Sequence, residues 1–307
     1  MMDNRLPAEV SAFGGAVADR LAAVGGIGLA RRAETDPAAR AQAGAAIAES
    51  GAGDLDVRAD LDQLLAGAVL CRAAGAVVLP WPVVPDLLQI DGRFLAVIDP
   101  QAVRVDHGGL DVPWLGTDLH GRAWMLRPGP RITGRLGPFV VAAEIGEPGT
   151  GIGRDDVARH LTLGAWTILG AIESALSLLT RHLRSRRQFG HPLSDFQSIR
   201  FAVADAAAAL RGLEELAKFT TWHLSTAPPA QQWAEALAVR LHAAEVGTAV
   251  LRACHQFYGA VGFCDETDLS VIDRHLQPVI RYPRSPEHLA EELIPAARSG
   301  TLNARVP

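Results

Sequence analysis

An arginine-rich run between two long apolar segments contains the residues best suited to binding a phosphate. Residues 186–200 read Arg-Arg-Gln-Phe-Gly-His-Pro-Leu-Ser-Asp-Phe-Gln-Ser-Ile-Arg. A guanidinium can pair with two phosphate oxygens at once, which makes Arg186 a candidate phosphate ligand. Arginines here can also simply complement the negative end of a helix dipole. Taken alone, these residues leave both roles open.

Other chemistries find less support. The 10 histidines are scattered without an HExxH pair, so we expect no metal site, and no GxSxG nucleophile motif occurs. The glycine-rich run 146–153 has no Lys-Ser/Thr pair after it, and Asp155 and Asp156 follow where a phosphate would bind. We interpret this run as an interdomain linker whose aspartates cap the next helix. The three cysteines are widely spaced, which argues against a disulfide framework.

A second block follows the first at a distance of about 60 residues. Residues 255–263 read His-Gln-Phe-Tyr-Gly-Ala-Val-Gly-Phe, with Arg274 further on. This block and the pattern RxQFGxPLxxFQxIR at 186–200 resemble the acyl-CoA dehydrogenase family. The resemblance is strong over residues 158–282, weak over the first 85 and poor between 90 and 150. It implies an N-terminal helical domain, a β domain and a C-terminal four-helix bundle.

The resemblance also implies a flavin, FAD, bound across a subunit interface. In the family a carboxylate takes the α-proton of an acyl-CoA thioester while the flavin takes the β-hydride. One subunit supplies the β-domain contacts and the base, and its neighbour supplies the Arg-Phe-Gly and Gln-Gly-Gly motifs. Carried over to this sequence, the residues lent to a neighbour's flavin are Arg186, Gln188, Phe189, Leu193, Phe196, Gln197, Gln256 and Gly259. Ala260 replaces the second glycine of the latter motif.

The base that the family requires is missing from both of its usual positions. The family's Glu belongs to a Tyr-Glu-Gly-Thr run, whereas residues 282–285 here read Tyr-Pro-Arg-Ser, so Pro283 replaces it. Some members carry the base on the first bundle helix, and His160 stands at that position. A neutral imidazole is poorly matched to a weakly acidic α-carbon. We therefore expect no catalytic residue in this chain.

The β domain is also too short for the family's own flavin site. No Trp-Ile-Ser/Thr motif occurs, and the nearest run, 123–126, reads as a strand that packs Trp124. The chain thus resembles the short non-catalytic subunit of actinobacterial heteromeric, steroid-degrading acyl-CoA dehydrogenases. Such a chain shares FAD with a full-length subunit that carries the Glu, as an α2β2 assembly in which the partner binds most of the acyl-CoA. Two alternatives stay open: a homomeric enzyme with His160, Glu144 or Glu147 as base, or a flavin-free scaffold of the same fold.

Hydrophobic periodicity predicts the elements that must position these residues. Helices are predicted over Pro7–Ala23, Pro37–Ser50 and Asp60–Ala74, whereas three prolines exclude a regular helix over Val77–Leu88. Short β-like segments at 94–98, 102–105, 123–126 and 139–143 predict a small, largely antiparallel sheet. Long helices are predicted over 156–187, 193–224, 229–259, 268–280 and 286–297. The fold class is mainly α with a small β domain, divided at 1–88, 89–152 and 153–307.

Composition sets outer limits on function. Hydrophobic residues make up 49% and charged residues 21% of the chain, as in soluble globular proteins. The net charge of -5 has no acidic or basic blocks, so we expect neither a nucleic-acid nor an anionic-membrane partner. The apolar run Leu161–Thr180 could span a bilayer, but Glu173 at its middle favours a buried bundle helix. We read no signal peptide and expect a cytoplasmic protein.

Overall fold

A computed structural model describes residues 5–132 and 136–302. Its helices are α1 (Ala8–Ala23), α2 (Gly26–Ala33), α3 (Pro37–Ala48), α4 (Leu61–Ala76), α5 (Val83–Leu87), α6 (Arg154–Ser185), α7 (Gln197–Thr226), α8 (Pro229–Tyr258), α9 (Asp268–Arg281) and α10 (Pro286–Arg298). Its strands are β1 (Phe94–Val97), β2 (Arg104–Val105), β3 (Trp114–Thr117), β4 (Ala123–Arg131), β5 (Val141–Pro148), β6 (Arg187–Gln188) and β7 (His191–Pro192). Short 3-10 turns lie at Ala52–Asp54, Leu193–Asp195 and Gly259–Phe263. The predicted fold class is confirmed.

The N-terminal helices begin and end at local sequence signals. Asp60 caps α4 by accepting a hydrogen bond from the backbone N–H of Gln63, which satisfies one free donor of the first turn. The same helix ends in a Schellman motif in which Val78, at φ 43°, occupies the left-handed position that glycine usually takes. Helix α2 was not predicted, because its eight residues are too few for a clear period. The proline-rich segment after α4 contains one helical turn, α5, in which Pro85 falls among the first residues, whose N–H groups need no helical partner.

Helix α6 is the central element of the bundle. It packs against α4, α7, α8 and α9, and most of its apolar residues are buried. By length and composition α6 could cross a membrane, but as predicted it is a buried helix of the bundle. At its crossing with α4 the two backbones touch through Gly75 and Gly170. The N-terminal helices and the bundle therefore share one continuous core; the proposed boundaries at 88 and 152 stay predictions.

The middle of the chain forms a five-stranded sheet in the order β1-β3-β4-β5-β2. Strands β1 and β3 pair in parallel and the other pairs are antiparallel, which fits the predicted, largely antiparallel sheet. Strand β3 was not predicted. Strand β4 is longer than predicted, and β5 begins two residues later and extends further. Trp114, Phe94 and Leu126 form a small apolar core of the sheet.

The interpretation of the glycine-rich run is wrong in two respects. Residues 146–148 are the end of β5 rather than linker, since backbone pairing with β4 continues to Pro148. Helix α6 begins after Gly153 with no side-chain cap. Asp155 and Asp156 lie inside the first turn, where they complement the helix dipole and pair with Arg159. Asp156 also accepts a hydrogen bond from Nε of Arg58 at 2.8 Å, which joins α6 to the N-terminal region.

Candidate functional site

The Arg-Phe-Gly run forms a tight two-stranded hairpin at the end of α6. Arg187 pairs with Pro192 and Gln188 with His191, so Phe189 and Gly190 form the turn. Both turn residues have positive φ, 54° and 85°, the pattern of a type I′ turn. This conformation is unusual for a phenylalanine, and it turns the ring outward to 87% exposure. Sequence reasoning found these residues but not the hairpin.

Four long polar side chains on this surface have no intramolecular partner in the described structure. Arg186, Gln188, Gln197 and Gln256 are exposed, and no side-chain hydrogen bond or ion pair forms at any of them within the described residues. Leu193 and Phe196 are half-buried and pack beneath the hairpin. The surface thus combines a fixed apolar base with polar groups available to a ligand.

An aromatic stack joins the two sequence blocks. The imidazole of His182, in the last turn of α6, lies over the ring of Tyr258, the last residue of α8, with ring centroids 4.2 Å apart. Burial, and then the nearby Arg186 guanidinium, lower the pKa of His182, so the ring stays neutral. Gly259 follows Tyr258 at φ 67° and turns the chain into the 3-10 segment. The predicted site residues within 186–197 and 256–259 therefore lie on either side of the contact between His182 and Tyr258.

Exposed apolar side chains concentrate around this contact. Six large apolar residues are exposed among those described, and four of them lie in or next to the two blocks: Phe189, Phe201, Val261 and Phe263. Large apolar groups that cluster at a surface mark a region suited to binding another molecule. We call the surface made by residues 186–201 and 256–263 the lent surface, because the resemblance implies that these motifs contact the flavin of a neighbouring subunit.

The two positions that the resemblance assigns to the base meet at a different place, a half-open cavity between the N-terminal helices, the sheet and the bundle. His160 and Pro283 both line this cavity, whose volume is about 160 Å³. Burial and the neighbouring Arg240 guanidinium lower the pKa of His160 to about 3. The imidazole is thus neutral at pH 7 but a very weak proton acceptor.

Within the part of the chain that the structure describes, one carboxyl group lines the cavity, that of Asp106, which sequence reasoning missed. Burial raises the pKa of Asp106 to about 7, against the opposing effects of a backbone N–H and the Arg40 guanidinium. A lone aspartate after a two-residue strand carries no sequence signal, because only the packing of other elements around it creates the cavity. Glu144 and Glu147, named as alternative bases, are exposed on β5 and do not line the cavity.

Arg240 supports the cavity from α8. Its side chain is 2% exposed, and Nη2 donates to the carbonyl oxygens of Val279, Ile280 and Tyr282, with 2.6 Å to the last. The guanidinium therefore caps the carboxyl end of α9. Burial lowers the pKa of Arg240 to about 10, so the group remains charged at pH 7.

The tryptophan of the run 123–126 lies in β4, opposite Gly116 of β3. It packs against the sheet core, and the Arg122 guanidinium lies 5.8 Å from its ring centre. Trp124 does not line the cavity. The prediction of a strand that packs its tryptophan is confirmed.

Comparison with known proteins agrees with this geometry. Residues 156–279 match the family model of the acyl-CoA dehydrogenase C-terminal domain. The chain is 30% identical over 133 residues to the short-chain specific acyl-CoA dehydrogenase of Bos taurus mitochondria, and the match covers 40% of this chain and 30% of the relative. The chain therefore spans less than a third of the length of that relative.

Solved structures match over nearly the whole chain. The ChsE4-ChsE5 complex of Mycobacterium tuberculosis has a chain that superposes with a TM-score of 0.78 at 16% identity, covering 97% of this chain and 99% of that one. A variant of the Tcur3481-Tcur3483 steroid ACAD superposes with a TM-score of 0.79 at 15% identity, covering 95% and 98%. At this identity the likeness is one of fold.

Proposed function

We propose that this chain, whose residues 156–279 match the C-terminal domain of acyl-CoA dehydrogenases, is the non-catalytic subunit of a heteromeric, FAD-dependent acyl-CoA dehydrogenase. Its lent surface completes the flavin site of a full-length partner subunit, in an α2β2 assembly. The observation that carries this proposal is a contrast between two regions of the chain. The lent surface is exposed and has unpaired polar groups, whereas the chain's own cavity is small and has no base at either usual position.

The cavity does not fit a flavin together with an acyl-CoA. Ligand sites for molecules of drug size occupy about 300–1,000 Å³, and this cavity measures about 160 Å³. Trp81, Trp114 and Phe139 are among the side chains that fill the surrounding space. His160, with a pKa of about 3, and Pro283 supply no effective proton acceptor. These features weigh against a self-sufficient homomeric enzyme with His160 as base.

The lent surface fits part of a flavin dinucleotide. The guanidinium of Arg186 can donate to two oxygens of a phosphate, and the amide groups of Gln188 and Gln256 can form hydrogen bonds with polar edges of the dinucleotide. Phe189 offers an exposed ring for apolar contact. When bound, FAD supplies hydride-accepting chemistry. The residues of this chain would hold and orient it, and the partner would supply the proton acceptor.

We extend the proposal to the substrate: a bulky, steroid-derived acyl-CoA that the partner binds. Support comes from the whole-chain likeness to a chain of the Tcur3481-Tcur3483 steroid ACAD, which extends through the reduced sheet. A shortened neighbouring subunit leaves more room beside the partner's site for a fused-ring acyl group. Rates of the co-expressed complex with a steroid-derived acyl-CoA and with butyryl-CoA test this point. Faster turnover of butyryl-CoA would exclude the steroid substrate.

Co-expression with a full-length acyl-CoA dehydrogenase subunit of the same organism, sought first among the adjacent genes, tests the subunit role. The complex should retain FAD, measured by flavin absorbance per protein, while the chain purified alone should not. Arg186→Ala and Gln256→Ala should each lower the retained flavin roughly tenfold at limiting FAD, because each removes a polar contact to the cofactor. Arg20→Ala and Gln101→Ala, at exposed positions outside the lent surface, are the matched controls.

Two outcomes would refute the subunit role. Stoichiometric FAD and acyl-CoA oxidation by the chain alone would establish a self-sufficient enzyme instead. Unchanged flavin in the complexes with Arg186→Ala and Gln256→Ala would favour a flavin-free scaffold.

A further inference from the structure

The cavity contains buried hydrogen-bond donors that the protein leaves unpaired. Nη1 of Arg240 and the hydroxyl of Tyr282 are buried and have no hydrogen-bond partner among the described residues. Both residues line the cavity, as does His160, whose imidazole makes no hydrogen bond within the described chain. An unpaired buried donor costs free energy unless a ligand or water satisfies it. The two unpaired buried donors, on Arg240 and Tyr282, therefore call for an acceptor that the described chain does not provide.

The charges around the cavity favour an anion. No carboxylate of the described residues pairs with Arg240, and Arg104 adds a second cation to the lining. Burial lowers the pKa of all three histidines of the lining, His107, His160 and His275, so they are neutral at pH 7. Among the described residues of the lining, the single opposing charge is Asp106, which is only partly ionised at pH 7 because burial raises its pKa to about 7. The lining thus carries a net positive charge.

The size and the walls of the cavity limit the rest of the ligand. Its volume of about 160 Å³ is close to that of an engineered protein cavity of about 150 Å³ that binds benzene. Aromatic and branched side chains, among them Trp114, Phe139 and Leu276, form most of the wall. A body of six to eight carbon atoms fits this space, whereas a coenzyme A thioester does not.

We propose that this cavity is a binding site for a small organic carboxylate with a compact aromatic or branched hydrocarbon body, held by Arg240 and Tyr282. The hydrocarbon packs against the aromatic wall, and the carboxylate accepts hydrogen bonds from the guanidinium and the phenol. This site is separate from the lent surface and requires no flavin. Its test therefore succeeds or fails independently of the subunit role.

Benzoate is the probe, titrated into the full-length chain at pH 7 and followed by calorimetry. We expect saturable binding of one benzoate per chain with a Kd of about 1 mM or tighter. Benzamide has nearly the same shape without the charge, so it should bind at least about tenfold more weakly. Absence of saturable benzoate binding up to about 10 mM, or equal binding of benzamide, would overturn the proposal.

Two mild variants test the location. Tyr282→Phe removes only the unpaired hydroxyl and should weaken benzoate binding about fivefold or more. Gly164→Ala puts a methyl group into the cavity wall, 3.9 Å from Nε of Arg240, without a clash, and should block the site while the helix stays intact. Gly212→Ala is the matched control, since a Cβ there meets nothing within 4 Å and the residue does not line the cavity. Unchanged benzoate affinity in both Tyr282→Phe and Gly164→Ala would exclude this cavity as the site.

Discussion

The crossing of α4 and α6 makes a sharp prediction for Gly170→Ala. A Cβ at Gly170 would overlap the carbonyl oxygen of Arg72 and lie 3.0 Å from the backbone N of Ala76, both on α4. These obstacles are backbone atoms, so no side-chain rotation can relieve the overlap. The two helices must move apart by roughly 1 Å.

The cost of that movement follows from the burial around the crossing. A gap of about 0.5–1 Å removes a quarter to a half of the attraction between each pair of facing atoms. Leu70, Cys71, Ala74 and Ile172 flank the crossing and are at most 3% exposed. We expect a loss of about 2–4 kcal/mol in the free energy of unfolding, which exceeds the gain of about 1 kcal/mol from replacing a helical glycine.

Urea unfolding of the purified full chain, followed by far-UV circular dichroism, measures this loss by linear extrapolation. Gly212→Ala is the control: it lies in α7, is exposed, and has nothing within 4 Å of an added Cβ. It should raise the free energy of unfolding by about 0.5–1 kcal/mol. If Gly170→Ala is as stable as Gly212→Ala, the two backbones are not in contact and the reasoning is wrong.

Three further predictions concern charge. Arg72→Met should cost about 2 kcal/mol of unfolding free energy, because it removes the guanidinium that joins Glu173 to Glu214, although Arg211 and Lys218 still pair with Glu214. Arg20→Met, which breaks an exposed ion pair, should cost less than about 1 kcal/mol in the same urea assay. Asp106 has a folded-state pKa raised from 3.8 to about 7, so its stabilising contribution is lost as the pH rises through that range. Asp106→Asn should thus raise the Tm near pH 8 and leave it unchanged near pH 4, and the opposite order would refute the assignment. His160 has a folded-state pKa lowered from 6.5 to about 3, so the stability that it contributes above pH 6.5 is lost as the pH falls. Between pH 6.5 and about pH 5, the urea midpoint of His160→Gln should therefore decline less than that of the unsubstituted chain. An equal decline in the two proteins would contradict the pKa shift.

Much of the architecture could be predicted because its signals are local. Periodic apolar residues, caps and prolines specify where α6, α7, α8 and α9 begin and end to within a few residues. Short elements were missed because a periodic signal needs length. Helix α2 has eight residues and strand β3 has four, too few for a hydrophobic period to be recognised. The error at 146–148 arose because glycine and proline mark loops, whereas β5 continues through them by pairing with β4.

The sequence by itself determined which residues make up the lent surface, because a run such as 186–200 keeps its motif spacing in one continuous segment. Only the tertiary structure decided that Tyr258 stacks on His182, and that His160, Pro283 and Asp106 share one cavity. These residues are far apart along the chain, and the helices and strands between them set their distances. Their acidity, too, depends on which elements exclude water from them, as the opposite pKa shifts of His160 and Asp106 illustrate.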